Sequence, residues 1–205
     1  MKRITFVRHG RSLADDEKKF EGRYDSPLTE VGIAQAGRLA ETWAHDPARQ
    51  YDLIVASTLS RACETAGILC GALGMKCEYS ELWMEMDNGA LAGLTYDEGS
   101  LRLPKPAFVG IHERVADGSG ESRMGLQARA MHVLEDLLNR DFRSAIVVAH
   151  GGILQAAARC ALGITPPSEV GGTGFWFKDL SHMDLAFDET KDFWYLIEFG
   201  HLESE

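Results

Sequence analysis

Close to its start the chain reads Ile4-Thr5-Phe6-Val7-Arg8-His9-Gly10, an apolar run that stops abruptly at polar residues. A short run of β-branched and aromatic residues is typical of a strand buried on both faces. A second such run, Ala145-Ile146-Val147-Val148-Ala149, also ends at a histidine followed by glycine, His150-Gly151. The sequence therefore predicts two buried strands that carry the same kind of residue at their ends.

Helical patterns separate these strands from a third one at 52–57. Apolar residues recur at helical spacing over four segments, 29–43, 60–73, 122–138 and 153–162. Strands that alternate with helices favour a parallel sheet with helices packed on both sides. The predicted fold is thus α/β, a three-layer sandwich with a mostly parallel central sheet and helices on both faces.

The C-terminal part has a different pattern, with aromatic runs and few helix signals. Strands are predicted at Phe175-Trp176-Phe177, 183–187 and 193–199, with a turn at 188–191, and these strands extend the sheet in antiparallel fashion. The stretch 99–120 contains Pro104, Pro106 and several glycines, which predicts an irregular loop or lid over one end of the sheet. Residues 1–205 are expected to form a single domain with this insertion.

Bulk properties exclude several classes of partner. The chain has 205 residues and a formal net charge of −10, which disfavours binding to nucleic acid or to anionic membranes. Its apolar stretches are too short for a membrane span, and its first residues lead straight into a strand, so a cytoplasmic location is expected. The cysteines lack the spacing of a zinc site or a redox dithiol, and no metal or cofactor is predicted; they are Cys63, Cys70, Cys77 and Cys160.

The two histidines at strand ends predict a local site for an anion. Carboxyl ends of parallel strands share one edge of the sheet, so His9 and His150 should converge there. The glycines that follow them allow a ligand to approach the backbone, and a helix N-terminus supplies free N–H groups. Arg8 and Arg61 are placed to reach the same edge, and paired guanidinium donors suit phosphate. The sequence therefore predicts a phosphate site.

This set of residues also predicts a reaction. A neutral imidazole, His9, would attack phosphorus, while Arg8, Arg61 and His150 would neutralise the phosphoryl oxygens without a metal ion. Glu85, within Trp83-Met84-Glu85-Met86-Asp87, is the predicted general acid and then the base toward water.

The motifs resemble those of a known family. Val7-Arg8-His9-Gly10 is similar to the nucleophile motif of the histidine phosphatase superfamily, in its phosphoglycerate-mutase-like branch. Further segments resemble later motifs of that family in order, namely 20–32, 59–66, 85–95, 120–122 with Arg129, and 148–152. The resemblance covers about Ile4 to Gln155, and it implies the same roles for the five catalytic candidates His9, Glu85, Arg8, Arg61 and His150.

The expected partner is a small phosphorylated substrate, with phosphate or sulfate able to occupy the pocket. The residues expected to contact it are Arg8, Arg11, Ser12, Asp15, Glu21, Gly22, Arg61, Glu85, His150 and Gly151. Three positions depart from the family pattern: Arg11, Asp15 and Ala92. Arg11 either binds a second anionic group of the substrate or is a solvated side chain at a helix start, and the sequence leaves both open.

Three functions fit these motifs. The first is a phosphatase that hydrolyses a small phosphate monoester, and it is favoured because the stretch between Glu85 and His150 is compact. The alternative is a phosphoglycerate mutase, which returns the phosphoryl group to a hydroxyl. The third, ranked lower because His9 and Glu85 are both present, is a catalytically weak regulatory protein that binds phosphoesters. The sequence leaves the substrate open, and whether the chain forms a homodimer.

Overall fold

The computed structural model describes residues 1–104, 109–167 and 171–201, and these residues contain a six-stranded sheet. Its strands are β1 (Lys2–Arg8), β2 (Leu53–Ala56), β3 (Glu78–Tyr79), β4 (Ser144–Ala149), β5 (His182–Asp188) and β6 (Phe193–Gly200). Their order across the sheet is β3-β2-β4-β1-β5-β6. The first four strands in that order are parallel to one another, β5 pairs antiparallel with β1, and β6 pairs antiparallel with β5. The mostly parallel sheet predicted from the sequence is confirmed.

Helices cover both faces of this sheet. They are α1 (Leu13–Asp16), α2 (Glu30–Ala44), α3 (Ser60–Leu73), α4 (Tyr96–Arg102), α5 (Arg123–Leu138) and α6 (Gly151–Ala161). Ile4 and Phe6 of β1 point into a core with α5 and α6, whereas Val7 points into a second core with α2 and α3. This alternation follows from the two-residue period of a strand. The structure therefore has the three layers that the sequence predicted.

The register of the central strands brings the two histidines together. In the β1–β4 ladder Arg8 lies opposite Ala149, so the next residues, His9 and His150, leave the sheet side by side. Strand β2 flanks β4 on its other side and ends at Ala56, so Ser57 leaves the sheet at the same edge. Side chains that are distant in sequence thus meet at the carboxyl end of the sheet.

Two predictions about secondary structure are wrong. Residues 175–177 do not form a strand, because the N–H of Phe177 donates back to the carbonyl of Phe175 and the carbonyl of Phe177 accepts a hydrogen bond from Arg8. The irregular stretch does not begin at Gly99, because Thr95 and Glu98 form a capping box that starts α4 and extends it to Arg102.

The central part of the predicted loop, 105–108, lies outside the described residues, as do 168–170 and 202–205. Within the described residues, no helix combines the length and the apolar character that crossing a bilayer requires.

Candidate active site

Two buried imidazoles form the centre of the site. His9 is 1% exposed and His150 is fully buried, and their ring centroids lie 5.0 Å apart. Each follows directly after a strand, and His150 is also the N-cap residue of α6. The two side chains therefore converge in the structure, as expected from the sequence.

The hydrogen bonds of His9 fix its tautomer. Its Nδ1 lies 2.7 Å from the carbonyl oxygen of Gly10, which only accepts, so Nδ1 carries the hydrogen. The Nε2 atom is then unprotonated, with its lone pair directed toward Arg61 Nε at 3.2 Å. Burial lowers the pKa of His9 well below its usual value, and the nearby charges of Arg61 and Arg8 lower it further. The ring is therefore neutral at physiological pH, as a nucleophile requires.

Arg61 is a fully buried guanidinium in the first turn of α3. It donates to the carbonyl oxygens of Tyr24 and Gly22, both at 2.9 Å. These two bonds hold the guanidinium plane against His9. A buried, always-charged group at this place makes the site a strong local attractor for anions despite the acidic chain.

His150 has one ring nitrogen bonded and one free. Its Nε2 lies 2.8 Å from the hydroxyl of Ser57, whereas its Nδ1 is buried and has no hydrogen-bond partner among the described residues. Burial lowers the pKa of His150 well below its usual value, and the charges of Arg61 and Arg8 act in the same direction. A buried ring nitrogen without a partner is costly unless a ligand supplies one, which is consistent with a phosphoryl oxygen beside it.

Arg8, the last residue of β1, extends along the rim. Its guanidinium donates to the carbonyl of Phe177 at 3.0 Å and lies 3.5 Å from carboxylate oxygens of Asp15 and Asp179. The side chain is 20% exposed, so it lines the entrance to the site.

Glu85 is held at the N-terminus of α6. Its carboxylate accepts N–H bonds from Gly152 (2.8 Å), Ile153 (3.1 Å) and Met86 (2.7 Å). A Cβ atom on Gly152 would come within 2.3 Å of Glu85 Oε1, so the close approach needs a glycine there. These donors hold the carboxyl group beside the start of the helix that His150 caps.

Arg129 of α5 positions the loop that carries Glu85. It donates to the carbonyls of Leu82 (2.8 Å), Met84 (2.6 Å) and Glu85 (3.2 Å), and it pairs with the Glu121 carboxylate at 2.7 Å. The sequence indicated Arg129 only as part of a family motif. The several N–H donors of this one guanidinium explain how a segment without regular structure can hold the Glu85 side chain at a fixed position.

The other predicted contact residues divide into two groups. Glu21 and the carbonyl of Gly22 lie against Arg61, while Ser12 and Asp15 form the capping box of α1 beside them. Arg11 is instead an exposed side chain paired with Asp16, and this pairing raises its pKa. A role for Arg11 in substrate binding therefore stays a prediction, and its geometry matches the solvated alternative.

A cavity of about 370 Å³ lies next to this cluster, although neither histidine is among its lining residues. Its lining includes Arg8, Glu21 and Glu85, the glycines Gly151 and Gly152, and an aromatic wall formed by residues 175–177. Trp176 in that wall is 77% exposed. A larger cavity of about 980 Å³ lies beside α4 and residues 109–118, and its lining includes none of the five catalytic candidates. We place the site in the smaller cavity because two of those candidates, Arg8 and Glu85, line it.

Sequence analysis missed Ser57 and the aromatic wall. Ser57 follows β2 just as His150 follows β4, so its position after a strand was the available signal. The wall had no such signal, because its residues have the composition of a strand.

Among the described residues, His182, Asp184 and Glu198 come closest to a metal-ligand set. They lie on β5 and β6, and the guanidinium of Arg49 lies among them, 3.0 Å from Asp184 and 3.4 Å from Glu198. The cluster therefore already contains a cation, supplied by the chain.

Comparison with known proteins gives a consistent result. A model of the histidine phosphatase superfamily (branch 1) matches residues 4–173. A 2,3-bisphosphoglycerate-dependent phosphoglycerate mutase of a Methylobacterium species is 32% identical over 84% of this chain and 86% of its own length. A glucosyl-3-phosphoglycerate phosphatase of Mycolicibacterium vanbaalenii is 28% identical over 80% of this chain and 76% of its own.

A solved structure is similar over almost its whole length. It is a mycobacterial glucosyl-3-phosphoglycerate phosphatase in complex with VO3, with a TM-score of 0.77 and 27% identity, and the match covers 96% of this chain and 97% of that one.

Proposed function

The chain belongs to the histidine phosphatase superfamily, and on that premise we propose that it is a metal-independent phosphatase for a small phosphate monoester, acting through a phosphohistidine on His9. The single observation that carries this proposal is the state of His9. The ring is neutral, its hydrogen is donated from Nδ1 to Gly10, and its unprotonated Nε2 accepts a hydrogen bond from Arg61 Nε at 3.2 Å. A nucleophile and a fixed positive charge therefore face the same small space.

The proposed first step breaks the ester bond. His9 Nε2 attacks phosphorus, the P–N bond forms, and the P–O bond to the leaving group breaks. In this proposal Arg8 and Arg61 balance the charge of the phosphoryl oxygens, and the Nδ1 of His150, which is buried and has no partner among the described residues, contacts one of them. Glu85 enters this step in its protonated form and transfers that proton to the leaving oxygen, which avoids expulsion of an alkoxide.

The second step returns His9 to its starting state. Glu85, now a carboxylate, accepts a proton from water while the water oxygen attacks phosphorus and the P–N bond breaks. Inorganic phosphate is the product. Glu85 carries out both proton transfers from its position at the start of α6, beside Gly152.

A mutase is the second candidate, because a relative that is 32% identical is named as a phosphoglycerate mutase. The two reactions share the first step and differ in the acceptor. A hydroxyl of the substrate would replace water and return the phosphoryl group to a sugar acid. Incubation with a phosphoglycerate distinguishes them, since a mutase yields the isomer and a phosphatase yields free phosphate.

The deciding experiment is a screen of small phosphate esters with wild type and His9→Ala, with the exposed His132→Ala as control. Wild type and the control should release phosphate, and rapid denaturation in alkali should trap a phosphoenzyme that acid destroys. Turnover that survives in His9→Ala would rule out His9 as the nucleophile. If wild type and control neither release phosphate from any ester nor convert phosphoglycerate to its isomer, the result would favour the binding protein.

A further inference from the structure

One acidic side chain lies inside the space that the proposed function gives to an anion. Oε1 of Glu21 is 3.3 Å from Arg61 Nε, and its Oε2 is 3.9 Å from His9 Nε2. The side chain is only 16% exposed. The carboxylate is thus in contact with the same cationic group and the same nucleophilic nitrogen that a phosphoryl group would meet.

The charges around Glu21 come from three segments. The end of β1 supplies His9 and Arg8, and α3 supplies Arg61. The α1 segment supplies the hydroxyl of Ser12, which donates to Glu21 at 2.6 Å, and the carboxylate of Asp15. Burial raises the pKa of Glu21, Arg61 opposes this, and Asp15 adds to it. These opposing effects leave Glu21 sensitive to any further negative charge.

A bound phosphate dianion would be such a charge. Two negative groups in contact, with little water between them, repel strongly. A protonated carboxyl removes the repulsion and gains a donor, because its O–H can point at an oxygen of the ligand. Arg61 offers the two anions a single positive charge, and two of its donor groups already bind the carbonyls of Tyr24 and Gly22.

We propose that Glu21 takes up a proton when a tetrahedral dianion enters the pocket and then donates its O–H to that anion. The proposal rests on the anion site of the proposed function and adds a residue that couples occupancy of the site to pH. The proton comes from solvent and returns to it when the anion leaves. Glu21 is then a binding residue whose ionised form competes with the ligand.

Affinity should therefore depend on pH. Where Glu21 is ionised in the free protein and protonated in the complex, affinity for a dianion falls by up to about tenfold for each unit of rising pH. Substitution of Glu21 by glutamine removes the ionisable group but keeps an oxygen acceptor for the Ser12 hydroxyl and adds N–H donors. Glu21→Gln should therefore bind a dianion more tightly than wild type at neutral and alkaline pH, with a weaker pH dependence.

Sulfate is the probe, because it remains a dianion throughout the pH range in which the protein groups titrate. Its binding is measured by titration calorimetry in two buffers that differ in protonation enthalpy, for wild type, Glu21→Gln and Glu17→Gln. Glu17 is an exposed carboxylate paired with Lys19, so the control makes the same change in charge outside the site. Thermal unfolding midpoints show whether each variant is folded. The measurement on wild type by itself already tests whether a proton is taken up when sulfate binds.

Wild type and Glu17→Gln should take up close to one proton per sulfate at neutral pH, and Glu21→Gln should take up much less. Uptake that is unchanged in Glu21→Gln would assign the proton to His9 or His150 and overturn the proposal. Sulfate binding by wild type without any uptake would also overturn it, while leaving the anion site and the proposed phosphatase intact. Failure of sulfate and phosphate to bind wild type would refute the anion site itself.

Discussion

Replacement of Glu85 by glutamine tests the assigned proton donor, and its effect should depend on the leaving group. An alkyl phosphate needs its leaving oxygen protonated, whereas a nitrophenyl phosphate releases a stable phenolate without help. Loss of a positioned general acid costs about 10²- to 10⁴-fold in rate. We therefore expect Glu85→Gln to lose this factor in kcat/KM for the alkyl ester and about tenfold or less for the aryl ester.

The structure also gives the cost to folding. The carboxylate accepts N–H bonds from Met86, Gly152 and Ile153, and an amide offers only one oxygen in its place. One of these donors, at the start of α6, is left without its acceptor, which costs about 1–3 kcal/mol. In a chain of this size that lowers the unfolding midpoint by about 2–4 °C per kcal/mol. The variant should still be folded at assay temperature.

The quantity to compare is kcat/KM, because it reports the step that forms the phosphoenzyme, whereas kcat also includes its hydrolysis. Both esters are assayed with wild type and variant, together with thermal unfolding. Equal losses in kcat/KM for the two esters would refute the argument, since a group that only shapes the pocket affects both alike.

Two further changes probe the same geometry. Gly152→Ala should lower kcat/KM by displacing Glu85, because the new Cβ would lie 2.3 Å from its Oε1. It should also lower the unfolding midpoint, because the displaced carboxylate no longer accepts from the N–H groups at the start of α6. Gly71→Ala in α3, which has open space, is the control for activity. The buried histidines should make stability pH-dependent, because their folded pKa values lie below about 6.5, the pKa of an unfolded histidine side chain. The free energy of unfolding should therefore fall as the pH drops below that value, by up to about 1.4 kcal/mol per pH unit for each histidine. His150→Asn should reduce that slope in urea titrations across pH, the exposed His132→Asn should not, and equal slopes in all three proteins would contradict the assignment.

The central part of the fold and the centre of the site follow from local patterns. Buried strands that alternate with helices predict a parallel sheet, and the ends of parallel strands lie at one edge. His9, His150 and Arg61 each follow a strand within a few residues, so the sequence alone was enough to bring them together. The strand period also predicts which residues of β1 face each layer of helices.

Features that depend on distant loops could not be predicted in this way. Residues 175–177 have strand composition, but the carbonyl of Phe177 is taken by the side chain of Arg8, a residue distant in sequence. The place of Glu85 on the N-terminus of α6 depends on Arg129, which holds a segment without regular structure. The surface position of Arg11 depends on a local ion pair with Asp16 that competes with any ligand.

Strand β4 lies between β2 and β1, so the pocket at the ends of these strands forms only when the whole sheet has folded. Ribosomal synthesis makes β1 and β2 first, yet they have no direct ladder with each other, and both pair with a strand that emerges only after α5. Strands β1 and β2 can be joined in the sheet only after β4 has been made, and their pairing then closes long loops, which slows folding. On the proposed function, an anion bound beside His9 and His150 would therefore add its binding energy to the cooperative stability of the entire sheet.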